Sequence, residues 1–177
     1  MRISILAFLL PVLTAVALSS CLGNDDVSAH DYAEWREQNT QYITDLEYGS
    51  EGAGFEKIIP DWDNSVFALV KWHTRGSGEQ SGIYPLSTSV LQIKYVLKNI
   101  SGRTMDSSAS FKCQPCNLIT GFWATLTHMN VGDSVTAVLP YFAAYGETGS
   151  AAVLPYSTLI FNIKLDSIIG YETLPWR

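Results

Sequence analysis

Residues 118–133 read LITGFWATLTHMNVGD. Leu118, Phe122, Leu126 and Met129 recur at spacings of three and four, so a short amphipathic helix is predicted from about Leu118 to Met129. Outside it the pattern changes. Val66 to Thr74, Val90 to Leu97, Ser134 to Leu139 and Thr158 to Ile168 are alternating or β-branched and read as strands. In the last of these, Leu159, Phe161, Ile163 and Leu165 alternate along the strand, the mark of a sheet with one buried face. Several antiparallel strands covering one short helix make an α+β fold, an antiparallel sheet wrapped around that helix.

Upstream, Tyr32, Trp35, Asn39, Tyr42 and Leu46 share a helical face between Asp31 and Tyr48. Asp31 and Glu34 have the spacing of a capping box. An N-terminal amphipathic helix is therefore predicted, with its aromatic stripe docked on its own domain. Gly49 to Gly54, GSEGAG, ends it as a flexible break. The expected organisation is a leader at 1–20, a lipidated Cys21 with a tether to residue 30, a helix and linker at 31–62, and a domain at 63–177.

The leader follows from Met1-Arg2, an apolar run from Ile3 to Leu18 broken by Ser4 and Thr14, and small residues before Cys21. Such a run suits a cleaved secretory signal better than a membrane span of about 20 apolar residues. Leu18-Ser19-Ser20-Cys21 resembles the bacterial lipobox, which implies acylation of the Cys21 thiol and export of the rest. The implied location is the bacterial cell envelope, with the chain lipid-anchored on the outer membrane and facing the periplasm or the cell surface. The alternative is an uncleaved anchor or a different cut site.

The whole chain has 11 basic and 17 acidic residues, a net charge of −6. Loss of 1–20 removes one Arg and no acid, leaving 10 against 17 and a net charge of −7. Clustered Lys and Arg are missing, which argues against a nucleic-acid partner. No basic amphipathic stretch draws the chain to anionic lipid, so membrane association is expected through the lipid anchor.

From about Val66 to Ile168 the chain resembles the FKBP-type peptidyl-prolyl cis-trans isomerase domain. Ile93-Lys94-Tyr95 followed by Gly102-Arg103-Thr104-Met105-Asp106-Ser107-Ser108 is similar to the family's Tyr, hairpin Gly and Phe-Asp-Ser-Ser. Leu118-Ile119-Thr120-Gly121-Phe122 is similar to Val-Ile-x-Gly-Trp, and Met129-Asn130-Val131-Gly132 to Met-x-Val-Gly. Pro140-Tyr141-Phe142-Ala143-Ala144-Tyr145-Gly146, Leu154-Pro155 and Thr158-Leu159-Ile160-Phe161 complete the set in family order.

The resemblance implies isomerisation of X-Pro bonds in exported, unfolded or proline-containing polypeptides by a monomer without a cofactor. The chemistry suits those residue types. A peptide bond resists rotation with a barrier of about 18–20 kcal/mol, and its twisted transition state has lost amide resonance and is less polar. An apolar pocket with a few fixed donors favours that species without any nucleophile. By the resemblance, Tyr95, Asp106, Ile119 and Tyr145 act on the bond, the Ile119 amide donating to the substrate carbonyl from a helix start. Tyr145 is expected to place a buried hydroxyl beside the peptide. Met105, Phe111, Leu118, Phe122, Leu154 and Phe161 then bind the substrate, with Phe122 as the pocket floor.

Several positions depart from the family pattern. Phe122 replaces the usual floor Trp, and Trp123, one helical residue on, points about 100° away. Met105 replaces the Phe before Asp, the loop after Gly149 has Ser150-Ala151-Ala152, and the turn between Pro155 and Thr158 is one residue short. A second reading is therefore an inactive or catalytically weak FKBP-like module that only holds chains.

Cys113 and Cys116 form a C-x-x-C. Zinc would need a second pair or nearby His ligands, and His30, His73 and His128 are scattered. A redox site would need a βαβ setting. After export, a structural Cys113–Cys116 disulfide is the preferred expectation over a redox role. No metal site is expected, and no hydrolase or phosphate-loop motif is present.

Overall fold

The computed structural model describes residues 32–76 and 82–171. The expected leader, the lipidation site Cys21, the tether and Asp31 lie outside the described residues. Helix α1 spans Ala33–Tyr48 and α2 spans Thr120–Thr127. Strands β1 (Phe55–Ile58), β2 (Ala68–Thr74), β3 (Ser89–Lys98), β4 (Thr104–Cys113), β5 (Ser134–Leu139) and β6 (Leu159–Tyr171) form one antiparallel sheet. Their order across it is β1-β2-β5-β6-β3-β4. The architecture is the predicted α+β fold, an antiparallel sheet around one short helix with an N-terminal amphipathic helix added.

Alternation along the strands builds the inner face. Leu91, Ile93 and Leu97 on β3, Val135, Ala137 and Leu139 on β5, and Leu159, Phe161, Ile163 and Leu165 on β6 all bury against Phe122, Ala124, Leu126 and Met129 of the α2 segment. This cluster is the main source of stability, since burying one such side chain contributes about 1.5–3 kcal/mol. Gly121 lets the helix approach closely. A Cβ there would meet Leu139 Cδ2 at 2.9 Å and the Ala143 carbonyl oxygen at 3.1 Å.

Helix α1 covers the outer face. Leu69, Val138 and Ile160 pair in one row across β2, β5 and β6, and Ile43 and Leu46 of α1 pack over them with Tyr42 and Phe67. The predicted docking face is therefore the observed one, with Ile43 added to it. The expected capping box involves Asp31, which lies outside the described residues. Tyr32 occupies the N-cap position without a side-chain bond, and Glu34 accepts from Gln38 Nε2 at 3.1 Å.

Two strands went unread in the sequence. Phe55–Ile58 pairs with β2 inside the stretch expected to be a linker, so the sheet begins eight residues before residue 63. Thr104–Cys113 pairs with β3 as the opposite edge. Its exposed, Ser-rich composition lacks a buried-face alternation, which is why the hydrophobic period missed it.

Candidate functional site

Sheet register brings the predicted pocket residues together. Ala137, Phe161, Leu97 and Asp106 lie in one cross-strand row, and Tyr95 stands beside it opposite Ile163. A register shift between Ile93 and Tyr95 takes β4 from Phe111 to Ser108 and turns Phe111 towards Tyr95. The first turn of α2 supplies Phe122 from above.

The rings form a graded concavity. Phe122 and Phe161 stack at 4.5 Å between centroids, 16° from parallel, and are only 4% and 5% exposed. Tyr95 meets them at 6.2 and 6.1 Å and meets Phe111 edge-on at 5.5 Å. Tyr95, Met105, Phe111, Leu118 and Ile119 are half-buried around this floor and pack on the main core. Such edge-to-face and offset arrangements add about 0.5–1.5 kcal/mol each beyond burial.

One carboxylate stands at the rim. Tyr95 Oη donates to Asp106 Oδ2 at 2.6 Å, and the Ser107 amide donates to Asp106 Oδ1 at 2.8 Å. Burial, followed by the bond to Asp106, pushes the Tyr95 phenol up to about 12. It therefore stays protonated at ordinary pH and keeps donating, so the Asp106 side chain is held in place beside Tyr95. Neither motif residue announced this bond in the sequence. It depends on hairpin register, and a Tyr and an Asp eleven residues apart around Gly102 are its only sequence signal.

Ile119 occupies the N-cap of α2, with no side-chain bond at that end, and its carbonyl accepts from Phe122 and Trp123. Its own N–H meets no acceptor among the described residues and remains available to a ligand, as helix N-termini generally leave such groups. Trp123 points away as expected, stacking on Trp62 at 4.2 Å and donating to Ser87 Oγ.

Three expectations need correction. Tyr145 is not buried; it is 40% exposed, because it sits in the tight turn after Tyr141–Ala143, where Gly146 N–H bonds back to the Tyr141 carbonyl. Leu154 is 51% exposed and stands outside the aromatic cluster. Cys113 and Cys116 are both free thiols. Cys113 ends β4 with its side chain in the core, where burial pushes its thiol up to about 11, while Cys116 faces solvent from the 3-10 turn Pro115–Asn117.

Residues 83–166, which contain the ring cluster, Asp106 and Ile119, match the family model described as FKBP-type peptidyl-prolyl cis-trans isomerase. That segment, 84 of the chain's 177 residues, is similar to the FKBP-type family. The FKBP-type 22 kDa peptidyl-prolyl cis-trans isomerase of Escherichia coli K12 is 32% identical over 112 residues, 60% of this chain and 53% of that protein. FK506-binding protein 4 of Dictyostelium discoideum is 33% identical over 92 residues, 49% of this chain and 25% of that protein. The chain thus spans about half of the first relative's length and a quarter of the second's. Among solved structures, FkpA from E. coli superposes with a TM-score of 0.65 at 20% identity, covering 79% of this chain and 62% of FkpA. The peptidyl-prolyl cis-trans isomerase of Pseudomonas syringae pv. tomato gives 0.63 at 20% identity, covering 77% of this chain and 94% of its own. These two likenesses establish the FKBP-like fold, and the family match adds the motif order.

Proposed function

We propose that this protein is a peptidyl-prolyl cis-trans isomerase acting on X-Pro bonds of exported polypeptides. The observation that carries this reading is the aromatic concavity of Phe122, Phe161, Tyr95 and Phe111, ringed by a fixed carboxylate and an unpaired amide. A proline ring enters against Phe122 and Phe161, where water is excluded. The Ile119 N–H takes a substrate carbonyl, and Asp106, held by Tyr95, faces the electropositive carbon of the twisting amide. No covalent step is needed: the less polar twisted amide is bound better than the planar one, and that difference lowers the barrier. Uncatalysed exchange takes tens to hundreds of seconds at 25 °C, so a proline-isomerisation assay reads even a slow enzyme.

Asp106→Leu is expected to lower kcat/KM about tenfold or more, because it removes both the charge and the Tyr95 anchor, whose charge-assisted bond is of the stronger kind. Tyr145→Phe is expected to cost at most about 1 kcal/mol of transition-state binding, a fivefold loss, since one exposed hydroxyl is lost. A reversed order in the same assay removes Asp106 from the reacting site.

A second reading, a polypeptide-holding module with little turnover, is favoured by Phe122 and Met105 standing where the family pattern has a larger Trp and a stiffer Phe. Folded protein that binds unfolded chains but leaves the exchange rate at that of buffer selects it.

The Leu18-Ser19-Ser20-Cys21 pattern supports a chain anchored through acylated Cys21 in a bacterial cell envelope, meeting the membrane by its lipid and polypeptides by its domain. The native N-terminus is expected at Cys21 carrying acyl mass in mass spectrometry. A different first residue, or Cys21 without that mass, removes the anchor.

A further inference from the structure

Beside the aromatic concavity, and sharing Met105 with it, lies a cavity of about 420 Å³ that Leu154 also lines. Its other walls come from three separate elements: Trp35 from α1, Asn99, Arg103 and Thr104 from the β3–β4 hairpin, and Ala152 and Ser157 from the loop before β6. Docking of α1 builds it, since Trp35 Nε1 donates to Ser157 Oγ at 3.1 Å and fixes the indole as one wall.

The polar groups of this cavity are unequally satisfied. Ser157 is spent, accepting from Trp35 and donating to the Leu154 carbonyl. Asn99 Oδ1 is spent as well, accepting the Arg103 backbone N–H at 3.0 Å. What remains is a set of donors: the Asn99 amide, the Thr104 hydroxyl and the Arg103 guanidinium. No carboxylate lines the cavity. Among the described residues the Arg103 side chain has no acidic partner within 4.0 Å. Asp106, two residues after Thr104, is tied to Tyr95 and Ser107. An unpaired planar cation beside an apolar wall, in a chain of net charge −6, is suited to a carboxylate.

We propose that this cavity is a specificity subsite that takes an acidic side chain near the isomerised proline, with Arg103 as its recognition group and Trp35 and Leu154 packing on the side chain's stem. The inference rests on the isomerase reading of the adjoining concavity, because it places the rest of the peptide there. It gives α1 a part in substrate choice in addition to covering the sheet.

Peptides with one X-Pro core and a single Glu, Gln or Lys at each of three positions before and after proline provide the test, on the intact protein. Isomerisation gives kcat/KM, and fluorescence anisotropy of labelled copies gives binding without requiring turnover. At one position the Glu peptide is expected to exceed its Gln counterpart about three- to fivefold at low salt, as an exposed ion pair allows, and to lose that margin at high salt. Arg103→Gln is expected to bring the Glu-to-Gln ratio to about one, and Arg103→Glu to favour the Lys peptide. Lys164→Glu, a charge change on the far part of β6, leaves the ratio as in the wild type. A ratio of one at every position in the wild type overturns the subsite, as does a margin that survives Arg103→Gln or falls equally with Lys164→Glu. If no peptide is turned over, the isomerase reading fails while the anisotropy ratios still decide the subsite.

Discussion

Phe122→Ala is expected to cost about 3–5 kcal/mol of folding stability, the range for truncating a buried aromatic ring. The ring lies face to face with Phe161 and is walled by Tyr95, so little of the surroundings can collapse into the space. Domains of this size are stable by only about 5–15 kcal/mol in total, so urea unfolding should shift far to lower midpoint with an unchanged slope. The same substitution removes the floor on which a proline would rest, and any isomerisation should fall by more than the unfolded fraction explains. Phe122→Trp separates packing from chemistry: it restores the larger floor usual in the family and is expected to hold or raise activity, with about 1–3 kcal/mol of overpacking at most. A Phe122→Ala protein as stable as the wild type contradicts the placement of that ring.

Asn39→Ala is the second large effect, and it acts far from the chemistry. Asn39 is 1% exposed at the seam between α1 and β6. Its Oδ1 accepts the Thr158 amide at 2.7 Å, its Nδ2 donates to the Trp35 carbonyl, and its own carbonyl accepts from Thr158 Oγ1. Thr158 is equally buried, so alanine strands its N–H without water. The expected cost is about 1–3 kcal/mol for the unsatisfied donor, with loss of α1 docking in proportion. Amide exchange at Thr158 and at Leu69, Val138 and Ile160 beneath the helix should quicken together, since they share one local opening. Unchanged protection at Thr158 contradicts the role given to Asn39.

Both residues show what a sequence can carry. Asn39 was legible as part of the docking face because it keeps helical spacing with Trp35, Tyr42 and Leu46, although nothing in that spacing reveals its partner 119 residues away. Strand β5 is legible with its observed bounds, Ser134–Leu139, because it leaves few polar residues, and β6 is legible as a strand through its clean alternation, although it runs on past Ile168 to Tyr171. Edge strands β1 and β4 were not, since each buries little and carries charge or Ser on its open side. In the site, Phe122, Phe161, Tyr95 and Phe111 were recognisable only through motif order; hydrophobic period alone makes them ordinary core.

What the sequence left open was set by register and by turns. The Tyr95–Asp106 bond requires the particular pairing of β3 with β4 and its shift after Ile93. Exposure of Tyr145 follows from how the 3-10 turn at Tyr141 delivers the chain, a three-residue detail with no periodic signal. For Cys113 and Cys116, close spacing suggested a bond, but a strand end that buries one side chain and a turn that exposes the other hold the two thiols in different environments.

Catalysis of X-Pro rotation in the aromatic concavity is read by a protease-coupled or NMR exchange assay with a short X-Pro peptide. The folded protein at micromolar concentration is expected to shorten a relaxation of tens to hundreds of seconds at 25 °C, with an apolar residue preferred before proline and with the gain reduced in Asp106→Leu. Protein that is folded by circular dichroism and leaves the relaxation at the rate of buffer contradicts it.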